Sequence, residues 1–185
     1  MMKRPAFFLM LAACALAGAA GETTPYGGTP GNIPGVIEAE HYDEGPAGAA
    51  YVDVDPENQG EPYRAETQVD IEKRPDASNG HGVGWTRKGE WLLYTVTVAT
   101  AGDYAIEMPV ASNKRGGRFH IEMNGKDVTG RIEVPDTGGW DKLQVIRKEP
   151  VRLEAGTHAM KVVMDSQGLS GSIGDIDLFR FIALP

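Results

Sequence analysis

The strongest constraint on the fold is the alternation of side chains between Glu90 and Val98. Successive side chains of a β-strand point to opposite faces of the sheet, so this period of two predicts a strand. One face is uniformly apolar and is the predicted core face, whereas the other carries Trp91, Leu93 and two threonines. The core face consists of Leu92, Tyr94, Val96 and Val98.

Short candidate strands separated by turns continue along most of the chain. Glycine-containing turn signals recur at roughly ten-residue spacing, and Asn124-Gly125 is the strongest hairpin signal among them. Past the N-terminal region, no window shows sustained helical periodicity. The pattern therefore predicts an all-β fold, an antiparallel β-sandwich or jelly roll. The candidate strands are Val36–Tyr42, Val69–Glu72, Glu90–Val98, Gly102–Val110, Arg118–Met123, Val128–Val134, Leu143–Val151, Thr157–Asp165 and Asp175–Ile182.

Residues 1–20 have the features of an export signal. Lys3 and Arg4 precede the apolar run Ala6–Ala13, which is too short to span a bilayer. The next stretch, residues 21–35, is rich in Gly, Pro and Thr, and we predict that it is a flexible tether. The folded domain is then expected to occupy residues 36–185.

Two fates of the exported chain fit the signal. Leu11-Ala12-Ala13-Cys14 resembles the lipobox of bacterial lipoproteins, in which the cysteine is lipidated. The alternative is an ordinary signal peptide cleaved after Ala19 or Ala20, where small residues precede the bond. The first interpretation predicts a cell-envelope lipoprotein whose only membrane contact is its lipid, and the second predicts a secreted protein.

Composition excludes several classes of function. The formal net charge is −8, so the chain is a poor candidate for binding nucleic acid or anionic membranes. Cys14 is the only cysteine, which leaves the predicted domain without a thiol nucleophile, a structural disulfide or a cysteine zinc site. Neutral ligands and cations remain as candidate partners.

Three tryptophans are candidate ligand-binding residues. Trp85 lies in a predicted loop before the Arg-Lys-Gly turn, and Trp140 follows a tight Thr-Gly-Gly turn. A large aromatic ring on a loop is unfavourable unless it packs or binds something. A pyranose ring has an apolar C–H face and a rim of hydroxyl groups, so aromatic platforms beside a few polar groups suit it.

Three carboxylates form a candidate metal site. Glu38 and Glu40 are two residues apart on a predicted strand, so both point to one face and repel unless a cation lies between them. Asp177 completes the site if the first and last strands pair. Oxygen ligands without His or Cys favour Ca²⁺. The alternative interpretation is a set of solvent-exposed carboxylates on a strand.

The sequence also resembles carbohydrate-binding module family 6. The motifs occur in the family's order: Ile37-Glu38-Ala39-Glu40, Gly82–Ala99 followed by Ala101–Tyr104, Val134–Trp140, Leu153–His158 and Asp175–Phe181. Tyr63-Arg64 with Val69–Glu72 further resembles modules attached to agarases and β-1,3-glucanases. The resemblance implies a jelly roll of two antiparallel sheets that binds glycans without catalysis, with a structural calcium at positions matching Glu38, Glu40 and Asp177.

The resemblance also assigns roles to single residues. Trp85 and Trp140 stand at the two aromatic positions that hold the sugar, and Asp175 stands where the family often has an asparagine. This substitution keeps an acceptor but removes an amide donor. Trp91 matches an aromatic that some members use in a second site on the concave sheet face. The implied partners are a β-glucan, agarose or xylan-like polysaccharide and polysaccharide-degrading enzymes.

A glycosidase and an exported adhesion or scaffold protein are the alternatives to a glycan-binding module. A glycosidase also needs paired carboxylates, but one strand face beside a terminus is not a substrate cleft, and no Gly-x-Ser-x-Gly motif is present. An exported adhesion or scaffold protein is the stronger alternative, because aromatic residues on loops serve protein interfaces equally well. Binding to a panel of soluble polysaccharides discriminates the two hypotheses.

Overall fold

The predicted strands form two sheets that pack face to face. The computed structural model describes residues 21–185 and contains, besides one short 3₁₀ turn at Tyr26–Gly28, only β-structure and connecting loops in that range. The jelly-roll prediction is confirmed. The strands are β1 (Gly31–Ile33), β2 (Gly35–Glu38), β3 (Tyr51–Val52), β4 (Ile71–Lys73), β5 (His81–Val83), β6 (Trp91–Val98), β7 (Gly102–Ser112), β8 (Arg118–Met123), β9 (Lys126–Asp127), β10 (Ile132–Glu133), β11 (Gly139–Leu153), β12 (Gly156–Ser166), β13 (Asp175–Ile176) and β14 (Leu178–Ala183).

Each sheet has a central strand that joins distant parts of the chain. The first sheet has the order β1-β6-β12-β8-β10, with β3 beside β6 and β9 beside β8. The second has the order β2-β14-β7-β13-β5-β4, with β11 on the free edge of β7. Pairing is antiparallel except between β1 and β6, which run parallel. Among residues 21–185, no helix is long and apolar enough to cross a membrane.

The core lies between the sheets and follows the predicted alternation. The four residues of the predicted core face of β6 are at most 5% exposed, and Ile121 and Val162 on neighbouring strands are fully buried. Burying one such side chain contributes about 1.5–3 kcal/mol to folding. The Asn124-Gly125 hairpin is also confirmed: it joins β8 to β9 with positive φ values of 51° and 76°, as this type of turn requires.

Several predicted strands are shorter or interrupted in the structure; Val36–Tyr42, for example, ends at Glu38. The stretch Val128–Val134 forms only β10, because the Asp127 carboxylate accepts the N–H groups of Thr129 and Gly130 and closes a turn there. The last predicted strand is split at Asp177. The N–H of Asp177 donates to the Pro109 carbonyl on β7, and its own carbonyl accepts the N–H of Ala39.

The prediction of a flexible tether over residues 21–35 is wrong, and the domain does not begin at residue 36. Thr24 exchanges two backbone hydrogen bonds with Glu44, at 3.0 and 2.8 Å. Ile33 on β1 is fully buried in the core, and the ring of Tyr26 stacks on His41 at 4.0 Å. A segment poor in apolar residues is thus anchored by two side chains and one parallel strand pair. The predicted signal peptide and Cys14 lie outside the described residues.

The loops at one end of the sandwich are joined to each other by hydrogen bonds. Thr86 is 2% exposed, and its hydroxyl donates to the Gly174 carbonyl at 2.7 Å. On the other side, Gly117 donates to the Ile173 carbonyl at 2.7 Å, and Gly116 donates to the Val134 carbonyl at 3.1 Å. These contacts hold the segments 84–90, 113–117, 134–140 and 166–174 together, and the candidate site lies among them.

Candidate functional site

Trp85 and Trp140 line one cavity at this loop end. Their side chains are among the few large apolar groups left exposed, with 40% and 37% of their residue surface accessible. The cavity has a volume of about 350 Å³; we call it the tryptophan cavity. Its remaining walls are polar and come from three different segments: Glu72, Arg87, Ser170, Gly171, Ser172 and Asp175. The structure thus brings together the two tryptophans that the sequence singled out.

The backbone holds Trp85 in an unusual conformation. Its φ of 48° lies in the left-handed region, which costs a side chain with a β-carbon about 1–2 kcal/mol. Strain of this kind persists only where the surroundings enforce it. Here the next residue is the buried Thr86, whose carbonyl accepts hydrogen bonds from the Ile173 N–H at 2.9 Å and from the Ser172 hydroxyl at 2.8 Å. The loop therefore presents the indole ring in a fixed position.

Arg74 connects the three parts of the cavity wall. Its side chain is 3% exposed, and Nη1 donates to the carboxylates of Glu72 and Asp175, the latter at 3.0 Å. Nη2 donates to the Trp140 carbonyl at 2.7 Å and to the Asp76 carboxylate at 3.0 Å, and Nε donates to the same carboxylate at 3.2 Å. A guanidinium group has five N–H donors, and all of them are used. Arg74 therefore positions other residues and has no donor left for a ligand.

Asp175 is nearly enclosed, with 4% of its surface accessible. Burial and, after it, the nearby Glu72 carboxylate raise its pKa to about 8, against the opposing effect of Arg74. A protonated carboxyl group donates as well as accepts a hydrogen bond. In that form Asp175 carries a donor, which the replacement of asparagine by aspartate otherwise removes.

Several cavity residues were not singled out from the sequence. Glu72 belongs to the stretch Val69–Glu72, whose resemblance to modules of agarases and β-1,3-glucanases is the sequence signal for it. Arg87, which pairs with Asp55 at 3.1 Å, lies next to a turn. Ser170 and Ser172 lie in a glycine-rich stretch whose composition indicates a turn and nothing more.

Trp91 lies elsewhere, on the outward face of the first sheet. It is half-buried, and the ammonium group of Lys161 is 4.2 Å from the centre of its ring. A cation over an indole face at a partly exposed site contributes about 0.5–1 kcal/mol. A second ligand site at Trp91 stays a prediction, and Trp91 takes no part in the tryptophan cavity.

The three predicted metal ligands come together where the first and last parts of the domain meet. Strand β2 pairs with β14, as the proposed site required, although β2 ends at Glu38 and Glu40 lies in the following turn. The Ser78 hydroxyl donates to Glu38 at 2.7 Å, and the Ser78 N–H donates to Asp177 at 3.1 Å. The neighbouring Asn79 side chain donates to Glu40, so two consecutive loop residues bind the three carboxylates.

The chemistry of this cluster fits a hard cation. Burial raises the pKa of Glu38, Glu40 and Asp177, and repulsion from the other carboxylates of the cluster adds to the shift at Glu38 and Glu40. Glu40 is fully buried, and among the described residues its Oε2 has no hydrogen-bond partner. A buried carboxylate oxygen without a partner is unfavourable unless an ion or water completes it. Within residues 21–185, however, no group of three or more His, Cys, Asp or Glu side chains has the arrangement of a complete metal site.

A β-sandwich with two exposed indole rings beside buried polar groups has the features of a ligand-binding module. Residues 59–183 match the model of the carbohydrate-binding module family 6. A segment of 106 residues is 33% identical to the α subunit of clotting factor G from Tachypleus tridentatus and covers 56% of this chain. A similar segment of 106 residues, 57% of this chain, is 29% identical to the β-agarase AgaA from Microbulbifer thermotolerans.

Solved structures agree with the sequence comparison. A β-1,3-glucan-binding module of family 6 from Bacillus halodurans superimposes with a TM-score of 0.63 at 26% identity, over 84% of this chain and all of that one. The chain belongs to carbohydrate-binding module family 6. The matched segment spans only 16% of the clotting factor subunit and 24% of the agarase, so those relatives carry it within much longer chains.

Proposed function

We propose that this domain binds a neutral polysaccharide, with a sugar ring held at Trp85 and Trp140. The observation that carries the proposal is that two exposed indole rings, one on a strained backbone, line a single polar-walled cavity. The apolar face of a pyranose packs on an indole, and the equatorial hydroxyl groups then reach the polar wall. Glu72 supplies an acceptor in this arrangement, and Asp175 supplies an acceptor and, when protonated, a donor.

The expected affinity is modest. The cavity is open to solvent and small, and sites of this kind bind with Kd values of about 1 mM to 1 μM, or roughly −4 to −8 kcal/mol. Because the loops are fixed before the ligand arrives, little side-chain ordering opposes binding. The relatives favour β-1,3-glucan or agarose as the ligand, because one structural neighbour binds β-1,3-glucan and one relative is an agarase.

Affinity electrophoresis through gels containing laminarin, agarose or xylan tests the proposal. We expect retardation in at least one gel, and Trp85→Ala or Trp140→Ala should weaken binding at least about thirtyfold, because each ring is an aromatic hot spot worth about 2 kcal/mol. Both rings are substantially exposed, so the thermal midpoint should stay close to that of the parent. Val145→Ala, at a residue 57% exposed outside the cavity, is the matched control. Unretarded migration in every gel would count against glycan binding and favour the adhesion hypothesis.

We propose further that Glu38, Glu40 and Asp177 hold a structural Ca²⁺. The support is the unpartnered, buried Oε2 of Glu40 beside two other carboxylates. The ion would neutralise their mutual repulsion and stabilise the junction of the first and last strands. We expect EDTA to lower the thermal midpoint and added Ca²⁺ to restore it, with Glu40→Gln insensitive to both. An unchanged midpoint in EDTA contradicts a bound calcium.

We propose that the protein is exported, from the signal features of residues 1–20. Globomycin, which blocks lipoprotein processing, distinguishes lipidation at Cys14 from ordinary cleavage. We also propose that the module holds polysaccharide close to degrading enzymes, in line with its relationship to a segment of an agarase. Catalysis by the domain itself is not part of the proposal, and the family is one of non-catalytic binding modules.

A further inference from the structure

A second, larger cavity lies beside the tryptophan cavity. Its volume is about 630 Å³, and we call it the arginine cavity after Arg115 and Arg118 in its wall. The segment 166–172 separates the two: Ser166–Gly168 line the arginine cavity, and Ser170–Ser172 line the tryptophan cavity. Strand β11 likewise contributes Trp140 to one cavity and Gln144 to the other. The two cavities are therefore neighbours at the same end of the sandwich.

The floor of the arginine cavity is bare backbone. A β-carbon on Gly168 would lie 1.9 Å from the Gly116 carbonyl oxygen, and one on Gly117 would lie 2.0 Å from the Ser166 oxygen. Neither glycine has a positive φ in the left-handed region, so glycine is needed there for close approach alone. The Val134 N–H also donates to the Gly117 carbonyl at 3.0 Å. The loops that form the floor are thus fixed without a ligand.

The walls are suited to a hydroxyl-rich ligand. Gln144 and Gln167 are exposed amides that donate and accept, and Arg118 forms an ion pair with Glu133 at 3.0 Å beside them. Pro135 and Ile146 supply apolar surface for a C–H face. This mixture of a few polar groups and small apolar patches is what a sugar ring requires.

An exposed leucine lies on the ridge between the cavities. Leu169 is 68% exposed, the largest exposed fraction among the large apolar residues of the described chain. It stands between Gly168 of the arginine cavity and Ser170 of the tryptophan cavity. Such exposure brings no benefit to folding, whereas a chain crossing the ridge would cover the side chain.

We infer that the arginine cavity binds further sugar units of the same polysaccharide chain, which passes from the tryptophan cavity over Leu169. This inference rests on the proposed function and deepens it: the domain then recognises a run of sugar units within a glycan rather than a single terminal sugar.

Isothermal titration with laminari-oligosaccharides, from the disaccharide to the hexasaccharide, tests the inference. Affinity should rise about tenfold once the chain is long enough to cross the ridge. Leu169→Ser and Gln144→Ala should remove this increment and leave disaccharide affinity unchanged. Val145→Ser is the control for Gln144, because it is 57% exposed on the opposite face of the same strand, and it should change neither value.

The possible failures are distinguishable. If the disaccharide and hexasaccharide bind equally well, the arginine cavity is not a subsite, and the proposed function stands on the tryptophan cavity alone. If Leu169→Ser and Gln144→Ala leave the increment intact, the longer chain runs elsewhere and the inference is wrong. If no length binds, β-1,3-glucan binding and the inference drawn on it are both overturned, and the proposed function then depends on the agarose and xylan gels.

Discussion

Replacing Arg74 with methionine tests whether the tryptophan cavity is assembled before ligand binding. The substitution keeps much of the buried aliphatic volume but removes all five N–H donors. The Trp140 carbonyl and the Asp175 carboxyl then lose a buried partner, whereas Glu72 and Asp76 are 23% and 30% exposed and can be hydrated. The damage is therefore concentrated in two walls of the cavity.

The size of the effect follows from these partners. Removing one member of a buried ion pair costs about 3–5 kcal/mol, and the lower end applies because the raised pKa of Asp175, about 8, lets it take up a proton once Arg74 is gone. In a domain of this size, about 3 kcal/mol lowers the thermal midpoint by roughly 6–12 °C. Release of the Trp140 backbone should also weaken glycan binding by about tenfold, since the ring must be ordered again on binding.

Calorimetry and differential scanning fluorimetry on the same protein samples measure both effects. Arg64→Met is the matched control, because the Arg64 side chain is 5% exposed and binds Glu44 at 2.8 Å and the Asp43 carbonyl at 3.2 Å, away from the cavity. It should lose stability and keep its affinity for glycan. Arg74→Met with a lowered midpoint but parental affinity would refute the positioning role.

Two further predictions concern stability. Ile33→Ala should destabilise the domain by about 2–5 kcal/mol, because Ile33 is fully buried. Urea denaturation measures the free energy of unfolding of both proteins. A difference below about 0.5 kcal/mol would support the interpretation of residues 21–35 as a tether. In EDTA, the thermal midpoint should fall as the pH rises from 5 to 8. Burial raises the pKa of Glu90 to about 7 and that of Asp53 to about 6. The folded state therefore binds more protons than the unfolded state in this range, and stability is lost as these protons dissociate. Glu90→Gln should flatten that dependence, and an equally steep profile in the variant would contradict the assignment.

The local hydrophobic pattern was sufficient to predict most strands of the two sheets. Strand β6 is predictable because its alternation is set by neighbours in sequence, and the Asn124-Gly125 turn is predictable because its backbone needs two positive φ values. Resemblance to the family placed Trp85 and Trp140 at one site, which no local rule could do, because they are far apart in sequence and converge only through tertiary packing.

The remaining features depend on contacts that sequence patterns do not encode. Arg74 lies in a polar stretch and is typical of a solvated loop there, yet its partner Asp175 is 101 positions away. The segment 21–35 has the composition of a linker, yet the parallel pairing of β1 with β6, the hydrogen bonds of Thr24 and the burial of Ile33 give it a fixed structure. Composition predicts a solvated loop around residue 74 and a flexible linker at residues 21–35. The burial of Arg74 and of Ile33 shows that both stretches are fixed parts of the fold.

The full use of the Arg74 donors has an evolutionary consequence. A guanidinium whose hydrogens are all committed inside the protein cannot adapt to a new hydroxyl pattern, and its replacement would disturb three segments at once. Diversification toward other sugars is thus restricted to the rim, where Ser170 and Arg87 can change without dismantling the scaffold beneath them. Descendants of this domain should therefore keep Arg74 and vary at positions such as Ser170 and Arg87.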